Sequence, residues 1–167
     1  SIPGGASGSL LKEGETFMVD MGGSFFGCMS DVSRVYAIGS LSDEAYKAHQ
    51  VCIDIQNEIA DRAKPGVVCE ELYQMALERV RQAGFADYFM GVEQKARFIG
   101  HGVGLEINES PVIASRIATK LEPGMVFALE PKIVLPGVGP LGIENTWVVT
   151  PDGVEKLTNA PEEIVLL

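Results

Sequence analysis

Leu121-Glu122-Pro123-Gly124-Met125-Val126-Phe127-Ala128-Leu129-Glu130 repeats, at a constant offset, the earlier stretch Leu11-Lys12-Glu13-Gly14-Glu15-Thr16-Phe17-Met18-Val19-Asp20. Leucine, glycine and phenylalanine coincide, an aliphatic residue follows, and both copies end in a carboxylate. Each copy reads as a turn feeding a strand whose terminal acid shares a face with the residues two and four earlier. The repeat predicts two related half-domains, with a pseudo-twofold that brings Asp20 and Glu130 to matching positions in the sheet.

Outward from these two stretches the pattern alternates between strand and helix. Gly22-Gly23 is expected to break the first strand after Asp20, with a further pair of strand segments over 24–38. Ser42 is placed to cap a helix, with Asp43 and Glu44 favourably set against its dipole. Ala45, Ala48, Cys52, Ile55 and Ile59 recur at helical spacing until Pro65-Gly66. Leu72, Met75, Ala76, Arg79 and Val80 predict a second helix, ending at Gly84. Residues 97–109 mix glycine with β-formers, and 125–135 and 143–150 are strand-like. Strands, two helices and then strands again describe an α+β domain. Trp147, Phe25, Phe26 and Phe127 are expected in the core, Met75 in helix packing, and His49, among Lys47, Gln50 and Asp54, at the surface.

Composition narrows the function classes. The 167 residues carry 13 Lys+Arg against 23 Asp+Glu, a net charge of −10, which is the wrong sign for a phosphate backbone and excludes nucleic-acid binding. No apolar run approaches the roughly 20 residues of a membrane span. Hydrophobic residues at 46% and charged residues at 22% are globular values. Cys28, Cys52 and Cys69 have neither metal-ligand spacing nor disulfide-framework density, so a reducing cytoplasmic setting is expected. The opening Ser1-Ile2-Pro3-Gly4, without methionine, suggests one catalytic domain over 1–167 that forms the C-terminal portion of a longer protein.

Four acids stand where strands normally exclude them. Asp20 and Glu130 end apolar strands, Asp31 lies in Met29-Ser30-Asp31-Val32, and Glu144 in Leu141-Gly142-Ile143-Glu144-Asn145-Thr146-Trp147-Val148. Two anions about 4 Å apart repel by roughly 4 kcal/mol at an effective dielectric of about 20, so four converging acids require positive charge. Only Lys132 and Arg34 lie close in sequence, and divalent cations are the better counter-charge; Arg34, three residues after Asp31, either orients a ligand carboxylate or lies at the surface. His101, in Gly100-His101-Gly102-Val103-Gly104-Leu105, adds an imidazole in a segment whose glycines permit close backbone approach.

These residues, in VDMGGSFFGCMSDVSR, GHGVGLEINESP, LEPGMVFALEP and GIENTWVVT, resemble the metal-binding segments of the pita-bread metallopeptidases, in the family's order. That superfamily holds methionine aminopeptidases, Xaa-Pro aminopeptidases, prolidases and creatinases, and the first segment is most similar to the prolidase and aminopeptidase P branch. The resemblance implies an α+β pita-bread fold, N-terminally truncated, with a curved antiparallel sheet covered by helices. It implies two divalent metal ions, Mn²⁺ or Co²⁺ first and Zn²⁺ or Fe²⁺ second. Asp31 and Glu144 would bridge them, Asp20 would chelate one, and His101 with Glu130 would complete the other. It further implies Xaa-Pro peptide hydrolysis by a metal-bridged hydroxide, with Glu130 moving the proton, on short peptides and in a homodimer.

The chain departs from the family at four positions. A family histidine is replaced by Gly4 after the first proline, by Arg97 four residues before His101, and by Asn108 seven residues after it. Gly142 stands where an arginine usually precedes the last glutamate. Arg97 and Asn108 are the candidate substitutes for the missing substrate-binding donors. The alternative is a metal-binding pita-bread module with lost or altered peptidase activity.

Overall fold

The computed structural model describes residues 8–167, so Gly4 lies outside the described residues. In chain order the elements are β1 (Thr16–Phe25), β2 (Cys28–Ala37), α1 (Asp43–Arg62), α2 (Cys69–Ala83), a 3₁₀ turn (Ala86–Tyr88), β3 (Phe98–Gly102) and β4 (Glu109–Ala114). They continue with β5 (Val126–Leu129), β6 (Lys132–Leu135), β7 (Gly139–Gly142), β8 (Asn145–Val149), β9 (Val154–Lys156) and β10 (Val165–Leu166). Five strands form a sheet in the order β4-β3-β5-β8-β9, β1 and β2 form a ribbon extended by β10, and β6 pairs with β7. No helix among the described residues is long and apolar enough to cross a membrane.

The helices follow from their caps and apolar stripes. Ser42 Oγ accepts the Ala45 N–H at 3.2 Å, with Asp43 and Glu44 in the first turn of α1. Ala45, Ala48, Val51, Cys52, Ile55 and Ile59 form its buried stripe, and the helix packs on β6 and β7. α2 stops at Gly84 (φ 87°), a left-handed position that the missing side chain makes cheap, and packs on α1 and β4. Each fully buried Ile or Leu of this interface contributes about 1.5–3 kcal/mol, so the helix–sheet layer supplies most of the core.

The two echoed stretches form the same turn twice. Glu15 N–H donates to Lys12 O at 3.0 Å, and Met125 N–H to Glu122 O at 3.1 Å. Gly14 and Gly124 hold φ of 81° and 89°, where a side chain would strain the backbone. Gly14 donates to Ile38 O at 2.8 Å, as Gly124 does to Val149 O at 2.8 Å. The β1–β2 pair therefore corresponds to the β5–β8 pair. The halves meet where Ser33 and Glu144 form an antiparallel bridge.

Several expectations are corrected. Gly22-Gly23 does not break β1; the ladder runs on through Gly22↔Asp31 and Gly23↔Ser30 to Phe25↔Cys28. The β-propensity penalty of two glycines is smaller than the gain from a continuous ladder. Phe25 and Phe26 are not core but 77% and 92% exposed, at the Phe26-Gly27 tip of the ribbon. Their strand pattern is real, yet among the described residues the tip of this two-stranded ribbon leaves both rings largely uncovered. His49 is buried rather than superficial, with Nε2–H donating to Glu162 O at 2.7 Å, because the segment after β9 folds over α1. The strand-like run 125–135 is two strands divided at Glu130-Pro131, where proline cannot extend the ladder.

Candidate metal centre

Each strand-terminal acid is placed by the backbone before its side chain acts. The Glu130 N–H donates to Ile99 O at 2.7 Å, and the Glu144 N–H to Ser33 O at 3.2 Å. The Thr146 hydroxyl donates to Asp31 O at 2.8 Å, fixing β2 against β8. His101 lies in mid-sheet, opposite Val112 of β4 and Ala128 of β5. That position requires its flanking glycines: a Cβ on Gly100 would stand 2.5 Å from Ala128 O, and one on Gly102 only 2.3 Å from Ser110 O.

These elements gather all five side chains around one cavity of about 210 Å³, lined by Asp20, Gly22, Asp31, Phe98, His101, Ile107, Asn108, Glu130 and Glu144. His101 Nδ1–H donates to Gly102 O at 3.1 Å, which turns Nε2 toward the acids. Nε2 stands 3.4 Å from Glu130 Oε1, 3.7 Å from Asp31 Oδ2 and 3.9 Å from Glu144 Oε1. Asp31, His101 and Glu144 each offer a ligand atom, all within 4.8 Å of one another and all on buried residues. Ligands about 2.1 Å from an ion can stand no more than about 4.2 Å apart, so small adjustments bring the three around one cation. Asp20, at the edge of the cavity, is 39% exposed.

The electrostatics are those of a site short of positive charge. Burial, reinforced by Asp20, pushes the Asp31 carboxyl up to about 6. Burial and repulsion from Glu130 likewise raise Glu144. Burial disfavours ionised Glu130 too, but a hydrogen bond with His101 and the Lys132 ammonium hold its carboxyl below the usual range. Burial opposes charging of His101, and its hydrogen bonds to Glu130 and Gly102 outweigh that, raising it. Oxygen donors with one imidazole, incompletely neutralised, fit a divalent ion of intermediate hardness.

Sequence patterning missed Ser33 and Gln56 among the residues that hold the acids in place, and of the two roles open to Arg34 the structure takes the buried, orienting one. Ser33 Oγ–H donates to Glu144 Oε2 at 2.6 Å. Arg34 is buried and donates to Ser33 O, Glu144 O and Asn145 Oδ1, each at 2.8 Å. Gln56 of α1 donates to Leu129 O at 2.5 Å and Ile143 O at 3.2 Å, the residues just before Glu130 and Glu144. Gln56 also accepts from Asn145 Nδ2 at 2.8 Å. The available signal was an amide four residues after Cys52 on the apolar stripe. Of the two proposed substrate contacts, Asn108 lines the cavity, whereas Arg97 is exposed just before β3 and is not among the lining residues.

Comparison with known proteins agrees with this architecture. The family model described as Metallopeptidase family M24 matches residues 1–151. The chain is 34% identical to an uncharacterized peptidase, YqhT, of Bacillus subtilis, over 100% of this chain and 46% of the relative. It is 33% identical to an Xaa-Pro dipeptidase of Pyrococcus furiosus, over 99% of this chain and 46% of that protein. The crystal structure of an X-Pro aminopeptidase from Thermotoga maritima superposes with a TM-score of 0.89 at 32% identity, covering 99% of this chain and 46% of that one. The chain thus spans about half the length of the curated relatives it matches.

Proposed function

The chain belongs to metallopeptidase family M24 and has its pita-bread fold, and we propose that the whole protein hydrolyses peptide bonds of the Xaa-Pro type near the N-terminus of short peptides. The observation that carries this proposal is the convergence of Asp31, His101 and Glu144 within 4.8 Å, with Glu130 3.4 Å from the same imidazole. A divalent ion bound there, Mn²⁺ or Co²⁺ before Zn²⁺ or Fe²⁺, would supply Lewis acidity that lowers the pKa of water and polarises a scissile carbonyl. Asp31, His101 and Glu144 would hold it, and Asp20 adds negative charge at the cavity mouth. Glu130 is the proton carrier, because its Oε1 faces His101 and the cavity. Asn108 presents an amide to the substrate from the cavity wall.

A second function, a metal-binding module with lost or altered peptidase activity, is favoured by one observation. Arg97 is not among the residues lining the cavity, which leaves Asn108 as the one proposed substitute donor there. Loss of a positioned donor to a developing oxyanion costs about 10²–10³ in rate. Incubating the full-length protein with Xaa-Pro dipeptides and Mn²⁺ separates the two. Turnover abolished by Glu130→Gln supports the peptidase; no hydrolysis with any of the four metals refutes it.

A further inference from the structure

Lys132 occupies a place that the acids of the centre need filled by a cation. It lies on β6, two residues after Glu130, and is only 5% exposed. Its Nζ donates to Glu130 Oε2 at 2.5 Å and stands 3.9 Å from Asp20 Oδ2. These two acids are the pseudo-twofold mates that end β1's apolar run and β5, and they are the two absent from the metal-capable trio Asp31, His101 and Glu144. Glu130 therefore has both oxygens facing protein nitrogens, Oε1 toward His101 at 3.4 Å and Oε2 toward Lys132.

The fold makes room for this lysine. Lys132 pairs with Gly142 of β7, where a Cβ would stand 2.3 Å from Pro131 O, 3.0 Å from Lys132 Cα and 3.3 Å from its Cγ. The absence of a side chain at 142 thus lets the Pro131–Lys132 backbone, and with it the base of the lysine stem, approach β7 closely. The Lys132 carbonyl accepts from Met90 N at 2.8 Å, so the backbone that presents the stem is pinned as well. A buried ammonium in direct contact with a carboxylate repels a divalent cation brought to the same oxygens, since like charges a few ångströms apart in a poorly screened site cost several kcal/mol.

We propose that Lys132 is a built-in replacement for the second cation of this centre, so that the protein binds one divalent ion, at Asp31, His101 and Glu144, rather than two. The proposal rests on the metal-centre assignment above, and its test separates the two. Full-length protein, stripped with chelator and equilibrated with excess Mn²⁺, is freed of unbound metal and analysed for Mn²⁺ per chain, with electron paramagnetic resonance reporting whether the ions are isolated or coupled. One ion per chain with the spectrum of an isolated Mn²⁺, rising to two coupled ions in Lys132→Gly, is the expected result. Lys132→Met, which keeps the stem and removes the charge, is expected to gain the second ion too and serves if the glycine variant does not fold. Two ions in the unmodified protein, or one ion in both it and a folded variant, overturn the role of Lys132 and leave the metal centre standing. No bound Mn²⁺ in any form overturns the centre itself, and the inference with it.

Discussion

Replacing Asp31 by asparagine is expected to have opposite effects on stability with and without metal. The Asp31 carboxyl is 8% exposed, and its pKa of about 6 compares with 3.8 for an unburied aspartate. Above about pH 7 it is ionised both folded and unfolded, so the folded state alone bears the burial and the repulsion from Asp20. A gap of about 2 in pKa corresponds to about 3 kcal/mol at 1.36 kcal/mol per unit. As pH falls through about 6 the folded carboxyl gains its proton, and below about 4 the unfolded one does so too, which removes the difference. Asp31→Asn removes the charge at nearly constant shape. In chelator at about pH 7.5 the variant is expected to be more stable to urea by up to about 3 kcal/mol, shrinking toward zero near pH 4. With Mn²⁺ the order reverses, because the variant lacks one of three ligands. Urea titrations monitored through Trp147, with and without metal, supply all four values. A variant less stable than its parent in chelator at neutral pH refutes the claim that Asp31 is held against an electrostatic cost.

Other consequences are open to direct measurement. Mn²⁺ added to the chelator-stripped protein is expected to raise Tm, since an ion at 100 times its Kd adds about 2.7 kcal/mol to the folded state; an unchanged calorimetric Tm counts against a formed site. Arg34→Met leaves three neutral acceptors, now bonded at 2.8 Å, without this donor and is expected to cost at least about 2 kcal/mol in urea unfolding. A loss below about 1 kcal/mol would show that those bonds are not what holds β2 to β8. Gly100→Ala forces a methyl to within 2.5 Å of Ala128 O and is expected to destabilise by at least about 2 kcal/mol while weakening Mn²⁺ binding through the displaced His101.

Much of this molecule is legible in local sequence because the relevant physics is local. Both helices were set by caps and apolar spacing, with Ser42 and Gly84 at their ends. The duplicated turn at Gly14 and Gly124 was readable because both chains need the same left-handed glycine. Acids in strands stood out because the composition of strands opposes them, and the structure gathers all five predicted side chains around one cavity. What escaped depends on distant partners. Nothing near His49 in sequence announces that Glu162 covers it, and the strand alternation of Phe25 is the same whether or not a layer lies above it. Gln56 looks like a helix residue without a role until the Leu129 and Ile143 carbonyls are seen to converge on it, and only the fold decides between the orienting and the surface role of Arg34. Lys132 was visible as a nearby positive charge, but its contact with Glu130 depends on the chain bending at Pro131.

The bridge between Ser33 and Glu144 gives the seam between the repeats a mechanical meaning. Asp20 and Asp31 come from one repeat, His101, Glu130 and Glu144 from the other, and the contacts of β2 with β8 across this line help to bring them together. An ion held there acts as a rivet through two plates. Its departure would leave each plate intact and loosen their mutual play, so amide exchange in metal-free protein should quicken along the seam, at Ser33 and Glu144, before it quickens within either repeat.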